Sequence, residues 1–312
     1  MRDGSGPALS VVLVTPDRYE TVRRTIEHLR EQTLRDRLEL VLVVPFAAEL
    51  EPDERELGEF AYVRIVEVGE LTSTGNARAA GVRAASAPVV VFAEDHSYPE
   101  PEWADALLRA HRNGWTAVGP DVLNANPESR LSWADLVLAG RAIDPERGEV
   151  VRSLPGRNSS YKREVLLAYG DELDALIEME TLLHWDLQAN GHQLYLEPAA
   201  RTSHVNHARL PDFIREQFYV GWVLAGMRAR RWSRGRRLLY AASAPLIPAV
   251  RMRRIATPLR QAARTRDLLP GVLPPIALGL AVGAAGELLG YALGPQRARR
   301  RIVGVEFHRH GA

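Results

Sequence analysis

The chain has 312 residues, 46% of them hydrophobic and 25% charged, an ordinary globular composition with enough length to bury a real core in one domain or two. It has no cysteine, which excludes disulfides and thiolate metal sites. The net charge of +1 conceals an asymmetry: residues 1–200 carry 20 Lys+Arg against 34 Asp+Glu (net −14), and residues 201–312 carry 20 Arg against 5 acids (net +15). Such a split suggests a catalytic body joined to a part that meets an anionic surface. No secretory signal is expected, because Leu9–Val14 is too short and too strand-like.

In chain order, Leu9–Thr15 (LSVVLVT) reads as a strand buried on both faces, and Val22, Ile26 and Leu29 mark one face of a following helix. Leu38–Val44 (LELVLVV) is a second buried strand closed by Pro45, and Tyr62–Val68 is a third. Residues 76–86 read as a helix, and Pro88–Ala93 as another buried strand. This alternation is the pattern of a doubly wound α/β sheet. Further on, Asn158-Ser159-Ser160 leads into a helix near Arg163–Tyr169, and Ile177–Ala189 is a helix closed by Asn190-Gly191. His192–Leu196 and Arg201–His207 are extended. Trp103 and Trp185 are expected in the core.

From about residue 228 the character changes. Leu238–Val250 is uncharged between Arg236-Arg237 and Arg251, Arg253, Arg254, and Leu268–Gly286 is a second uncharged run, with Pro270, Pro274 and Pro275 inside it. A bilayer core needs about 20 apolar residues, so this run is borderline. Arginines on both flanks fit a re-entrant or interfacial helical pair better than a single span. The alternative is a buried helical hairpin in a soluble protein.

Ligands of such sheets bind off the carboxyl ends of the strands. Those ends here are Thr15-Pro16-Asp17, Pro45 and Glu94-Asp95-His96. Carboxylate plus imidazole can hold a divalent cation, which would neutralise a diphosphate leaving group; the plainer reading is a solvated turn.

The segments VVLVTPDRYETVRRTIEHLREQT, STGNARAAGVRAASAPVVVFAEDHSYPEPEWADAL, EMETLLHWDLQANGHQLYLEP and SHVNH together resemble a family-2 glycosyltransferase, over roughly residues 8–225. The resemblance implies a GT-A fold: a Rossmann-like mixed α/β sheet flanked by helices over residues 1–225. Residues 226–312 would form an Arg-rich, apolar, membrane-associated helical region. It implies an inverting transfer of a sugar from a nucleotide diphosphate donor, UDP-linked, to a hydroxyl acceptor. A divalent cation (Mn or Mg) would assist at the cytoplasmic face of the membrane. The acceptor would be lipid-linked or a cell-envelope glycan.

Residue by residue, Glu94 and His96 take the two ligand places of the family's acidic strand-end motif, with Asp95 beside them, and His204 takes the place of its late histidine, followed by His207. Counting back from Gly191 puts the catalytic base at Glu180, with Glu178 as the alternative; both would otherwise only solvate a helix N-terminus. Thr15, Pro16, Asp17, Gly75, Asn76 and Arg78 fall where the family meets the nucleotide, and Asn158 near the sugar. A guanidinium suits a phosphate. The family's aspartate at the end of the second strand is missing, replaced by Val44-Pro45-Phe46, which leaves the base contact to backbone groups or to a residue near Glu67–Glu70.

Three other readings compete. A non-catalytic relative would keep the fold and bind a partner or lipid. A nicotinamide-dependent oxidoreductase is disfavoured because no Gly-x-Gly-x-x-Gly follows the first strand. Nucleic-acid binding ranks last, since the arginine tail alternates with apolar runs and lacks interleaved exposed aromatics.

Overall fold

Runs of β-branched residues form three buried strands, β1 (Leu9–Val14), β2 (Leu38–Val44) and β4 (Val89–Ala93), and a largely exposed one, β3 (Tyr62–Glu67). They come from the computed structural model of the protein, which describes residues 6–140, 147–156, 158–261 and 268–307. β1 pairs in parallel with both β2 and β4, and β2 pairs in parallel with β3. Crossover helices α1 (Tyr19–Arg30), α2 (Glu54–Leu57) and α3 (Thr74–Ala84) connect them. α1 lays Val22, Ile26 and Leu29 onto the sheet, as its spacing predicts.

Beyond β4 come β5 (Ser97–Pro99), α4 (Trp103–Arg112), β6 (Ala117–Asn124), α5 (Arg130–Leu138), β7 (Glu149–Val151) and β8 (Ser160–Lys162). Then follow α6 (Arg163–Leu167), α7 (Leu173–Ile177), α8 (Glu180–Ala189) and β9 (Leu194–His204). The strand order is β3-β2-β1-β4-β8-β6-β9-β5, with β7 on β9. β8 is antiparallel to β4 and β6, so the sheet is mixed. The order reverses between β1 and β4, and ligands of open α/β sheets bind at such a switch point.

Three expectations are corrected. The helix read over Ile177–Ala189 is broken into α7 and α8 at Glu178-Met179, where Met179 is extended (φ −136°, ψ 98°). The two extended pieces His192–Leu196 and Arg201–His207 are one strand, β9. Trp103 is fully buried as expected, whereas Trp185 is 42% exposed.

The chain divides into two compact units, Met1–Val122 with Pro145–Ser203, and Leu123–Asp144 with His204–Ala312. The second contains α5, α9 (Leu210–Arg228), α10 (Arg234–Ser243), α11 (Ile247–Gln261), α12 (Leu269–Leu293) and α13 (Gln296–Phe307). Its core joins Ala134, Val137, Phe213, Ile276 and Leu280. α9 and α12 approach closely: a β-carbon on Gly286 would come 2.1 Å from the Phe218 carbonyl oxygen. Pro274 and Pro275 are accommodated within α12. Among the described residues, α12 alone is long and apolar enough to cross a membrane, and 44% of its most apolar window is buried in protein.

Two histidines are sealed into the first unit as neutral rings. His111 Nδ1 faces the Trp115 carbonyl (3.0 Å) and so carries the proton, leaving Nε2 to accept from Ser160 Oγ (2.9 Å). His184 Nε2 lies 2.8 Å from the Tyr161 hydroxyl. Burial pushes His111 down to about 4 and His184 down to about 3. Because the unfolded chain takes up these protons first, stability falls as pH drops below about 6.5, by about 1.4 kcal/mol per pH unit for each ring. Urea unfolding at pH 7 and 5.5 is expected to show a combined loss of roughly 2–3 kcal/mol. The His184→Phe variant should lose about half of that pH dependence.

Candidate functional site

β4 runs fully buried to Ala93 and then delivers Glu94, Asp95 and His96, all of which remain buried (4%, 8% and 7% exposed). The solvated turn is therefore not what forms. Glu94 Oε2 accepts from the Asn158 side-chain amide (3.2 Å) and from Ser97 Oγ (3.2 Å), while Asn158 Nδ2 also reaches Ser97 Oγ (3.0 Å). Asn158 adopts the left-handed conformation (φ 58°), which asparagine tolerates better than most residues, and its N–H donates to the Phe92 carbonyl. The Thr25 hydroxyl lies 3.0 Å and 3.1 Å from the carbonyls of Glu94 and Ser97, tying α1 to the turn. Thr25 and Ser97 carry no functional signal in the sequence; a hydroxyl within an apolar helix face and one just after a strand-end motif are found only through the fold.

His96 Nδ1 lies 2.5 Å from Asp95 Oδ1, and its Nε2 lies 3.7 Å from Glu94 Oε1. A carboxylate behind Nδ1 fixes the ring's tautomer and orientation, the arrangement that commonly supports a metal-ligating imidazole. One imidazole nitrogen beside one carboxylate oxygen is a donor set that suits a divalent transition metal.

A second constellation joins α3 to α7 and α8. Ser73 caps α3, accepting from the Asn76 N–H (3.1 Å). Glu178 accepts from the Gly75 N–H (2.9 Å) and from Ser73 Oγ. The carboxylate thus serves the exposed N–H groups of a helix N-terminus, and this explains why the chain leaves helical geometry at Glu178-Met179. Gly75 is required by packing: a β-carbon there would lie 2.3 Å from the Asp174 carbonyl and 2.8 Å from the Glu178 nitrogen. Asn76 is exposed.

One turn further, Arg78 Nη1 pairs with Glu180 Oε1 at 3.2 Å, with side-chain exposures of only 4% and 8%. The Arg78 guanidinium also lies 5.9 Å from the ring centre of Phe92, two residues before Glu94. Burial raises the Tyr161 phenol well above its ordinary value, and the Glu180 carboxylate pushes it in the same direction.

Off the ends of β1 and β2 opens a cleft of about 700 Å³ lined by Pro16, Asp17, Glu20, Ala48, Glu49 and Glu51, among others. Thr15 is buried, its N–H donating to Val43 and its hydroxyl accepting from the Asp17 N–H (3.2 Å). Phe46 is exposed, and Glu67 accepts from the Ala47 N–H (2.8 Å).

In the second unit, His204 is fully buried and its Nδ1 lies 2.9 Å from Asn206 Oδ1. His207 joins Asp135 and Glu216, acids that nothing in the sequence singled out. Its N–H donates to Asp135 Oδ2 (2.9 Å) and its Nε2 lies 3.2 Å from Glu216 Oε2.

A family model described as glycosyl transferase family 2 matches residues 10–170, just over half of the chain. The chain belongs to glycosyl transferase family 2. No curated protein matches it. Among solved structures, this family-2 chain is similar to the mannosyltransferase PcManGT from Pyrobaculum calidifontis in complex with GDP-Man and Mn2+. The TM-score is 0.55 at 15% identity, over 91% of this chain and 88% of that one, and the likeness shows the GT-A fold. It also aligns with S. aureus TarS 1-349 in complex with UDP (TM-score 0.48, 14% identity, 91% of each chain). A third match is GalNAc-T7 with UDP, GalNAc and Mn2+ (TM-score 0.47, 17% identity, 65% of this chain), of which the chain spans 44% of the length.

The Gly75→Ala variant is expected to lose about 2–3 kcal/mol of stability, because the added carbon meets backbone and not a flexible side chain. Thermal and urea unfolding check this; an unchanged midpoint would contradict the packing assigned to Gly75.

Proposed function

We propose that this family-2 protein transfers a sugar from a nucleoside diphosphate donor, UDP-linked, to a hydroxyl acceptor with inversion, assisted by Mn2+ or Mg2+. The observation that carries the reading is the buried Glu94–His96 pair at the end of β4, beside the reversal of strand order and oriented by Asp95 and Asn158. Mn2+ and a nucleotide-sugar in the structurally similar PcManGT support it. Glu94 and His96 would hold the cation, and His204, whose Nδ1 lies 2.9 Å from Asn206 Oδ1, is kept as a further ligand. When bound, the cation neutralises charge on the departing diphosphate.

Arg78 binds a donor phosphate, for which a guanidinium is well suited, and Glu180 removes the acceptor proton. Their ion pair keeps both charges compensated while they are buried. Glu180 is preferred over Glu178 as the base because Glu178 is spent on the N-terminus of α3. Gly75 and Asn76 act through the position of that helix, while Pro16 and Asp17 line the cleft for the nucleoside and Thr15 positions Asp17 through its hydroxyl. Asn158 positions Glu94. The membrane part of the reading puts the second unit at the cytoplasmic membrane face, with a lipid-linked or cell-envelope acceptor; α12 and the net charge of residues 201–312 support it.

The non-catalytic alternative draws on one observation: β2 ends without an acid, and Phe46 is exposed where a base-binding carboxylate is absent. Calorimetric titration with UDP, with and without Mn2+, separates the two. Manganese-dependent binding that disappears in Glu94→Ala/His96→Ala is expected; silence with UDP, GDP and dTDP alike favours the non-catalytic relative. In Glu180→Gln, sugar transfer is expected to fall about 10²- to 10⁴-fold while UDP still binds. Transfer at the wild-type rate would remove Glu180 from the mechanism.

A further inference from the structure

Helices α10 and α11, joined by a 3₁₀ turn at Ala244–Leu246, form a nearly continuous helical segment from Arg234 to Gln261. A helix on a water-soluble protein turns its leucines inward and its arginines outward. This segment buries Ala241, Ala244 and Leu259 but also leaves a second set of apolar side chains facing outward. Leu238, Leu239, Leu246 and Val250 are 66%, 67%, 66% and 48% exposed. With the exposed Ala242, Pro245 and Ala249 they recur every three to four residues, so they form one outward stripe.

Two half-buried arginines fasten the segment to its neighbour. Arg237 donates to the Tyr291 carbonyl (2.8 Å) and the Ala292 carbonyl (3.3 Å) at the end of α12, and Arg251 pairs with the buried Glu287 (2.6 Å). The stripe is bounded by exposed arginines at each end, Arg234 and Arg236 on one side and Arg253 and Arg254 on the other. Residues 217–266 contain twelve arginines and no Asp, Glu or Lys. The outward positions of α12, including Leu273, Leu278, Ala281, Leu288 and Leu293, are likewise apolar.

From this exposed apolar stripe flanked by arginines we infer that the outward face of α10–α11 is a docking surface for an anionic bilayer. The leucine stripe enters the boundary between headgroups and acyl chains, and the terminal arginines pair with lipid phosphates. The inference rests on the membrane part of the proposed function and deepens it, assigning attachment to this stripe in an interfacial mode. An apolar stripe facing water loses free energy in proportion to its area, and a bilayer interface recovers it. Arginines near an anionic surface add an attraction that salt weakens. A second copy of the chain fits less well, because apposing two stripes would bring arginine against arginine with no acid to separate them.

The test is flotation of the full-length protein, freed of detergent, with vesicles of phosphatidylcholine alone or with about one third phosphatidylglycerol. Wild type is expected to float with the anionic vesicles, less with the neutral ones, and less at high salt. Leu238→Glu/Leu239→Glu is expected to lower the binding about tenfold or more while retaining manganese-dependent UDP binding. Since the chain has no cysteine, Leu246→Cys provides a unique site for an environment-sensitive dye, whose emission should shift to the blue on anionic vesicles.

Full flotation of the double variant, or an unshifted dye, would place attachment elsewhere and overturn this inference while leaving the membrane reading intact. Failure of the wild type to float would overturn both. A dimer that the double variant dissociates, with no vesicle binding, would make the stripe a self-association face. UDP binding reports on the donor site independently of all these outcomes.

Discussion

Housing the Glu94 carboxyl group inside the protein is the constraint around which the candidate site of the first unit is arranged. The carboxylate is 4% exposed at the end of a strand whose every residue is buried. Burying such a polar group without hydrogen-bond partners is costly, so the surroundings must supply them. Asn158 and Ser97 supply them on one side, and His96 stands on the other. Each donor imposes a local peculiarity: the left-handed backbone at Asn158, and a hydroxyl on α1 that pins the turn through its carbonyls. The polar groups that look functional and those that look structural are here parts of one arrangement.

The same logic runs through the second constellation. Glu178 and Glu180 are two residues apart, yet an interrupted helix sends them to different tasks, one to the N-terminus of α3 and the other to Arg78. Their separation depends on Met179 being extended. A regular helix through these positions would put the two carboxylates on different faces, and one of them would lose its partner. A buried ion pair is poor evidence of added stability and better evidence of a group kept charged for use.

Much of the first unit was legible in the sequence because parallel strands buried on both faces leave an unmistakable trace: LSVVLVT, LELVLVV and PVVVFA all form strands where expected. Even there Glu39 interrupts β2, and the fold accommodates it with hydrogen bonds from Ser10 and Ser86 that outweigh burial and hold its carboxyl below the usual range. Glu94 and His96 were legible as a strand-end motif. The roles of Thr25, Ser97 and Ser73 were not, since each depends on partners tens of residues away. Periodicity also misread the break between α7 and α8, because a tertiary hydrogen bond to Gly75 overrides local helix preference there. In the second unit, the uncharged run from Leu238 was legible as apolar; that Leu238, Leu239 and Leu246 face outward while Arg237 reaches α12 required the packing.

In the proposed function, His96 binds a divalent cation together with a nucleoside diphosphate. Pulsed electron paramagnetic resonance of Mn2+ bound in the presence of UDP tests it most directly, because an imidazole ligand imprints its nitrogen on the manganese signal. Nitrogen modulation is expected in the wild-type complex and is expected to diminish in His96→Ala. A manganese–UDP complex without nitrogen modulation, or one unchanged by His96→Ala, would contradict it.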